Sequence, residues 1–388
     1  MVRFPATILF LVLAAVSTGV AVQAAELDPS PTNTGTILVS DERENNANPY
    51  SNQARIDVLA PGTLVNVRTM NNSADAQINS YGILTNSSTG TITNPDAFIR
   101  VYGGTFTNEG TVNNSGDDGY IWTDGGTALT NKGVINNSTS GYILNDSTAN
   151  PAVMTNQGTI TNTGASYIQN YGVFTNSSAG TITNTGASYI ENYGVFTNSS
   201  AGTITSTDSH IKVYNGSTFT NEGTINNSGN AGDIETNSGS TFTNKGTIVN
   251  SGSGWIYNDS LTGGKTAIMI NEGTITNTGA SYIENFGKFT NSSTGIINNT
   301  GSSSIDNYDT FTNKGTINNS ADIWTDTGTT LTNEGTFTNS SGATLGNTGT
   351  ITNSGTLELG AGSSYNFTGG TLTNTGSLIL RRDFTFNG

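Results

Sequence analysis

Along most of this chain the apolar residues come singly, each followed by one polar residue and then, again and again, by asparagine. Residues 164–185, "GASYIQNYGVFTNSSAGTITNT", return as 186–207 with two changes, Glu191 where Gln169 stood and Ser206 where Asn184 stood. The apolar centres keep a three-beat rhythm. Phe174, Ile182, Ile190 and Phe196 are spaced 8, 8 and 6; Phe196, Ile204, Ile211 and Phe219 follow at 8, 7 and 8. Met269, Ile275, Ile283 and Phe289 close a shorter cycle at 6, 8 and 6. The same cycle runs from Leu84 through Phe106, Leu129 and Met154, and on through Phe242, Phe311, Leu331, Ile351 and Leu372. An insertion, "LTGGK" at Leu261–Lys265, lengthens one connection without breaking it.

A self-similar period of 20–50 residues predicts a solenoid or array. Its beats are β-branched or aromatic and separated by Asn-Ser, Asn-Glu-Gly or Asn-Thr-Gly, which are strand and turn signals. No segment carries a helical period. The prediction is an all-β parallel β-helix with about 20–23 residues and three strands of about 3–5 residues per turn. Period-2 alternation sends Phe174, Ile182, Ile190, Phe196, Ile204, Phe219, Ile225, Phe242, Ile275, Phe289 and Phe311 inward and the flanking threonines outward. Asparagine falls two residues after most inward centres, as at Asn170, Asn176, Asn184, Asn192 and Asn198. There it is expected to turn the corner, using its tolerance of left-handed backbone angles. Its amide is expected to bond the asparagine one turn above. Roughly 15 turns at about 4.8 Å give a rod on the order of 70 Å long.

Residues 25–70 break the phrase, hold most of the prolines and include "DERE" at Asp41–Glu44; they are expected to form an N-terminal cap, with the repeat over 71–388. The other end, "SLILRRDFTFNG", stops in mid-beat at Phe384, which suits a junction with another subunit or a piece of something longer. Before the cap, Arg3, an apolar run from about Ile8 to Val22 and small Val22 and Ala24 predict a signal peptide over 1–24, cleaved after Ala24. The run is short for a membrane span. The remainder is therefore expected to be secreted or displayed at the cell surface.

Charge narrows the partners. Lys and Arg number 13 against 28 Asp and Glu, a net charge of −15, which argues against nucleic acid. Cysteine is absent, so disulfides and thiolate metal sites are excluded. The phrases "GTITNTG", "FTNEGTINNSG" and "LTNTGSL" resemble the β-helical stalks of bacterial secreted adhesins, of the filamentous-haemagglutinin and autotransporter-passenger type, over about Leu84 to Gly388. That resemblance implies a right-handed β-helix at the cell surface, acting as a stalk or contact surface. Its partners would be glycans or proteins of a host or neighbouring cell, or further copies of itself.

The chemistry-bearing residues are few, and no cofactor, metal or nucleotide site is expected. Asp117, Asp118 and Asp124 in "GDDGYIWTDGG" and Asp322 and Asp326 in "ADIWTDTG" are the best carboxylate clusters for polysaccharide cleavage or calcium, but neither stretch contains Lys or Arg. They read as solvated turn acids. The single histidine, His210, follows Asp208 and Ser209, and local adjacency on a strand does not make a triad. No phosphate-cradling glycine loop leads into a helix. Thr-x-Thr pairs, such as Thr181 with Thr183 and Thr203 with Thr205, raise ice binding, but they shift between the Phe and Ile beats. Thr181 and Thr183 are taken as surface-contact candidates. So are Tyr167, Tyr189 and Tyr282, which with Tyr171 and Tyr193 are expected outward, to stack on sugar rings or on one another. The sequons at Asn86, Asn176, Asn198 and Asn291 arise from the repeat itself.

Overall fold

The computed structural model describes residues 25–27, 32–147, 150–177, 179–237, 239–260, 265–381 and 385–387. The expected signal peptide, most of the "LTGGK" insertion and Phe384 lie outside them. The described residues contain short strands, mostly of four or five residues, and no helix. Every third strand pairs in parallel with the one a full turn away, so the chain winds three sheets of 17 strands each. At about 4.8 Å per turn the rod is roughly 75 Å long.

Register is set one turn at a time. Tyr167–Asn170, Val173–Asn176 and Thr181–Thr185 pair residue for residue with Tyr189–Asn192, Val195–Asn198 and Thr203–Thr207. Most strands alternate outward and buried positions, so the two inward residues are the apolar centre and the residue two places after it, usually asparagine. The first sheet stacks Phe174, Phe196, Phe219 and Phe242 with ring centroids 4.6–4.9 Å apart and planes within 7° of parallel; Phe289 stacks on Phe311. The second sheet stacks Ile182, Ile204, Ile225, Ile248 and Ile275, and the third Ile168, Ile190, Ile211 and Ile234. All are buried.

The strands also run through residues 25–70, where the spacing of the phrase breaks. Tyr50, Ile56, Val58, Leu64 and Met70 are buried there, and the strands pair with the following turns in the same three sheets. Parallel pairing needs only extended backbone and an inward apolar residue at the right register, and Tyr50-Ser51-Asn52 and Met70-Asn71-Asn72 supply that, with Asn52 and Asn72 in the same amide row as later turns. The "DERE" segment sits in the second turn, between Ala25–Glu26 and Thr63–Asn66, where Arg43 holds Asp41 at 2.7 Å and lies in register with the inward Leu64.

The asparagines are where the sequence reading needs correcting. They are not left-handed corners; they end each strand in extended conformation with their side chains inside the wall. The left-handed angles belong to loop residues such as Gly164 (φ 75°), Gly186 (φ 70°), Asp96 and Asp208. An inward position two residues after the core residue demands extended backbone, so the bend is displaced into the loop.

On the first sheet the asparagine row is unbroken from Asn45 to Asn374, each Nδ2 donating to the next Oδ1 at 2.6–2.8 Å. The second sheet carries Asn33 to Asn184, stops at Ser206, and resumes from Asn227 to Asn339. The third has shorter runs, Asn145–Asn192 and Asn258–Asn307, with Val213 and Thr236 between them. The second amide hydrogen goes to loop carbonyls, as from Asn176 to Gly180 at 3.0 Å. Each buried amide bond of this kind contributes on the order of 1 kcal/mol net, while an orphaned partner costs about 1–3 kcal/mol.

Because every bond points the same way, a run that starts afresh leaves its first oxygen without a donor. Asn45, Asn145, Asn227 and Asn258 each have a buried Oδ1 with no hydrogen-bond partner. Ser206 precedes Asn227 and is too short to reach it, bonding Ser209 instead. Ser206→Asn should donate to Asn227 and accept from Asn184, making one row from Asn33 to Asn339. The pairs Asn162/Ser166 and Asn184/Ser188 show that the wall has room for this combination. We expect a gain of about 1–3 kcal/mol, read as a higher denaturant midpoint with unchanged slope. A lowered midpoint would mean that the Ser206–Ser209 pair is the better arrangement.

Candidate functional site

The three outer faces differ in chemistry. The first two are built from threonine, valine and asparagine. On the first sheet the second outward position is threonine in eight consecutive turns, from Thr85 to Thr243. On the second sheet the pair Thr181 and Thr183 lies directly between Thr159 with Thr161 on one side and Thr203 with Thr205 on the other. The Thr-x-Thr pairs that shift between beats in the sequence are thus two separate ranks, each in register, with the variable loops outside the sheets.

The third face is aromatic and charged. Its first outward column stacks Phe98, Tyr120, Tyr142, Tyr167, Tyr189 and His210 with centroids 4.7–5.6 Å apart and planes within 21°. A second column, just past each strand, stacks Tyr171, Tyr193 and Tyr214 at 4.7–5.0 Å. Between them runs a polar lane. Gln169 donates to Glu191 at 2.7 Å, and Lys212 pairs with Glu235 at 3.0 Å. Burial opposes the Lys212 charge, but the Glu235 bond and the Asp233 and Glu235 charges outweigh it, and its pKa rises. Burial raises the Tyr214 hydroxyl to about 12, so it stays protonated at any physiological pH.

Stacking decides between the two uses of the tyrosines. A sugar ring needs an aromatic face, and inside these columns, as at Tyr167, Tyr189 and Tyr193, both faces are covered by the rings one turn away. Tyr167, Tyr189 and Tyr282 are half-buried in such stacks, Tyr282 against Trp255 at 4.8 Å. Each contact contributes about 0.5–1.5 kcal/mol to stiffness along the rod.

The threonines of the expected contact set stand on another face. Thr181 and Thr183 point outward, yet both are half-buried and not freely exposed. Thr183 is flanked along the axis by Thr161 and Thr205 one turn to either side, so its neighbours in the rank cover much of its surface. Thr181 and Thr183 also stand on the second sheet while the tyrosines stand on the third, so the residues singled out together form no common site.

Ring faces open where a column is interrupted, and at two such interruptions an aspartate lies in a pocket. In the first column Asp233 separates His210 from Trp255, leaving a pocket of 270 Å³ lined by those residues, Ala231 and Tyr257. His210 Nδ1 lies 2.7 Å from Asp233 Oδ1. Ser209 is turned into the wall, donating to the Asn184 carbonyl, and Asp208 accepts from the Asn230 backbone, so the three form no triad.

In the second column Phe286 stacks on Tyr308 at 4.5 Å, and the next turn offers Asp326 instead of a ring. Here lies a pocket of 310 Å³ lined by Asp306, Asn307, Tyr308, Trp324, Thr325, Asp326 and Thr348. Tyr308 and Trp324 remain 38% and 37% exposed, so each keeps open ring surface. The indole lies over Gly346, where any side-chain carbon would fall inside the ring. Gly346 is the only glycine within a described strand. Of the acids singled out in the sequence, Asp326 lines the pocket and Asp322 stands beside it on the same strand. Asp117 and Asp118 lie in the loop before Tyr120–Thr123 and Asp124 follows that strand, so they form no cluster. The sequon asparagines Asn86, Asn176, Asn198 and Asn291 are fully buried in the first-sheet row, with no access for a glycan.

Burial holds the Asp306 carboxyl above its ordinary value of 3.8; the Ser304 hydroxyl bond works against this and the charge of Asp322 adds to it. Glu284, one turn away, is raised likewise by burial, against a bond from Tyr257 and with Asp306 adding. A carboxyl with a raised folded pKa binds its proton more tightly when folded, so its cost appears as pH rises above the ordinary value. Asp306→Asn, which keeps the acceptor for Ser304 and cannot ionise, should therefore raise the melting temperature at pH 7. Melts repeated at falling pH should show the difference closing near pH 4, and a difference independent of pH would contradict the assignment.

Together the fold and its faces define a three-sided parallel β-solenoid with one aromatic, acidic face. No family model matches the sequence, and no curated protein sequence matches it significantly. Among solved structures it is similar to one described as "Crystal structure of TibC-catalyzed hyper-glycosylated TibA55-350 fragment", with 16% identity over 91% of this chain and 100% of that one. The TM-score is 0.27, so the fold assignment stands on the strand pairing alone.

Proposed function

We propose that this chain is an exported, non-enzymatic rod, displayed at a cell surface or released, that works as an adhesin or structural element through its third face. The supporting observation is the division of labour among the faces. The third face carries stacked aromatics, a charged lane and the two pockets described above, on a stalk stiffened by amide rows. Many weak contacts repeated along such a stalk add through avidity. The partners are proteins or glycans of another cell, or further copies of the chain; its net charge of −15 disfavours nucleic acid. Negative-stain microscopy of the full chain at low and high concentration tests the rod. Single rods of roughly 75 Å support a stalk, filaments one rod wide support self-assembly, and shapeless chains would end the proposal.

A second reading, ice binding, is favoured by the threonine ranks on the first two sheets. They form a grid of about 4.8 Å by about 6.7 Å. Its test is growth of a seed crystal in the full chain at millimolar concentration. Shaped crystals that resist growth below the melting point would support it, and ordinary growth would remove it.

A further inference from the structure

We propose that the pocket between Tyr308 and Trp324 binds a guanidinium group, the arginine side chain of a basic partner segment. The inference rests on the reading of the rod as a contact surface and adds the chemistry of what it contacts.

Three features of the pocket select this group. It has open aromatic surface at two sides, from the last ring of the Phe286–Tyr308 column and from the indole laid flat over Gly346. A planar group can stack there, and a cation gains from the ring quadrupoles. It is also strongly acidic. Asp306 and Asp326 line it, Asp322 adjoins it, and no Lys or Arg is among the lining residues. A neutral sugar would gain little from that concentration of charge, whereas a cation offsets both the burial of the Asp306 carboxylate, which is the main cause of its raised pKa, and the Asp322 charge that adds to it.

Finally, the carboxylates offer acceptors. Asp306 uses Oδ1 for Ser304, and Asp326 uses Oδ1 for the Thr327 amide and the Thr348 hydroxyl. Neither Oδ2 has a protein donor among the described residues. A quaternary ammonium has no hydrogens to give them, and a primary ammonium is a compact, strongly hydrated charge poorly suited to flat faces. Guanidinium combines a plane for stacking with several fixed donors for carboxylate oxygens.

The same face already contains this interaction once. Arg100, in the polar lane of the third sheet, lies with its guanidinium carbon 4.3 Å from the Phe98 ring centre and 5.8 Å from that of Trp122. At Trp324 the face is built for the same contact, but the guanidinium must come from outside.

The test is a fluorescence titration of the full chain carrying Trp122→Phe and Trp255→Phe, so that Trp324 alone reports. The probes are the N-acetyl amides of arginine, lysine and citrulline, and methyl glucoside. Arginine amide should give a saturable change, binding roughly tenfold tighter than lysine amide, with citrulline amide and the glucoside inert. Asp306→Asn with Asp326→Asn should weaken arginine by at least roughly tenfold. Neither replacement endangers the fold, since one relieves a buried charge and the other is exposed. Equal binding of citrulline and arginine, saturable binding of the glucoside alone, or no saturable response would each overturn the assignment. A chain that fails this titration yet still forms rods that adhere to cells would lose the arginine pocket and keep the contact role. Loss of rods in the microscope would remove the contact role itself.

Discussion

Asn198→Ala is expected to destabilise the rod by about 3–5 kcal/mol, the largest effect of any polar substitution in its middle. Asn198 accepts from Asn176 and donates to Asn221, to the Gly202 carbonyl and to the Thr224 carbonyl, all from a fully buried position. Alanine removes all four bonds. It leaves the Asn221 oxygen orphaned inside the wall and opens a small void, and nothing nearby can move in without breaking the register of three sheets. Thr197→Ala, one residue away and outward, should stay within about 0.5 kcal/mol. Denaturant melts of the two variants decide the matter. If they differ by less than about 1 kcal/mol, the amide row is decoration and the apolar stack carries the stability.

Phe219→Ala should cost a similar amount, about 3–5 kcal/mol, by emptying a ring-sized volume in a core that cannot collapse along its axis. The Phe219 ring is sandwiched between Phe196 at 4.6 Å and Phe242 at 4.9 Å, and their separation is fixed by the turn spacing. Phe219→Leu should cost under about 1.5 kcal/mol, because the same rank accepts Leu129, Met154 and Leu331. Stability in a solenoid is a sum of neighbour terms. Hydrogen exchange should therefore show the loss of protection in Phe219→Ala concentrated in the turns bearing Phe196 and Phe242. A uniform loss along the rod would show that the coils unfold as one unit.

The coil was legible because its determinants are local and repeated. A centre such as Ile182 followed by Asn184 states the strand, its inward face and its row in four residues. Residues 25–70 were harder to read, because prolines and the charged "DERE" break the spacing, although Tyr50-Ser51-Asn52 and Met70-Asn71-Asn72 keep the phrase of an inward apolar residue and a row asparagine. The direction of the asparagines was misjudged because a turn-favouring residue at the end of a beat reads as the turn itself. Its parity with the core residue carried the better information. The pocket was legible only in part. Asp322, Trp324 and Asp326 stand together in the sequence, but Asp306, Tyr308, Gly346 and Thr348 come from neighbouring turns and meet them only through the pairing of Asp306 with Trp324 and of Trp324 with Gly346. The threonine ranks were obscured for the same reason. Alternation alone marks Thr183 as outward, but Thr161 and Thr205, which cover its flanks, stand 22 residues away on either side and meet it only through the pairing.

The amide rows give the axis of the rod a sense. Each asparagine nitrogen is identified by the loop carbonyl it also meets, as Asn176 meets Gly180, so the row cannot be reversed by turning the amides over. Every side-chain dipole in the first sheet therefore points the same way, and the rod has an acceptor pole at Asn45 and a donor pole at Asn374. Two such poles are complementary to each other and not to themselves. Ala25–Leu27 covers the Asn45 end, so the poles act through their field: copies in nose-to-tail order align their row dipoles, while copies nose to nose oppose them. A fibre built from this unit would be an arrow, with chemically distinct ends and unequal rates of growth at each.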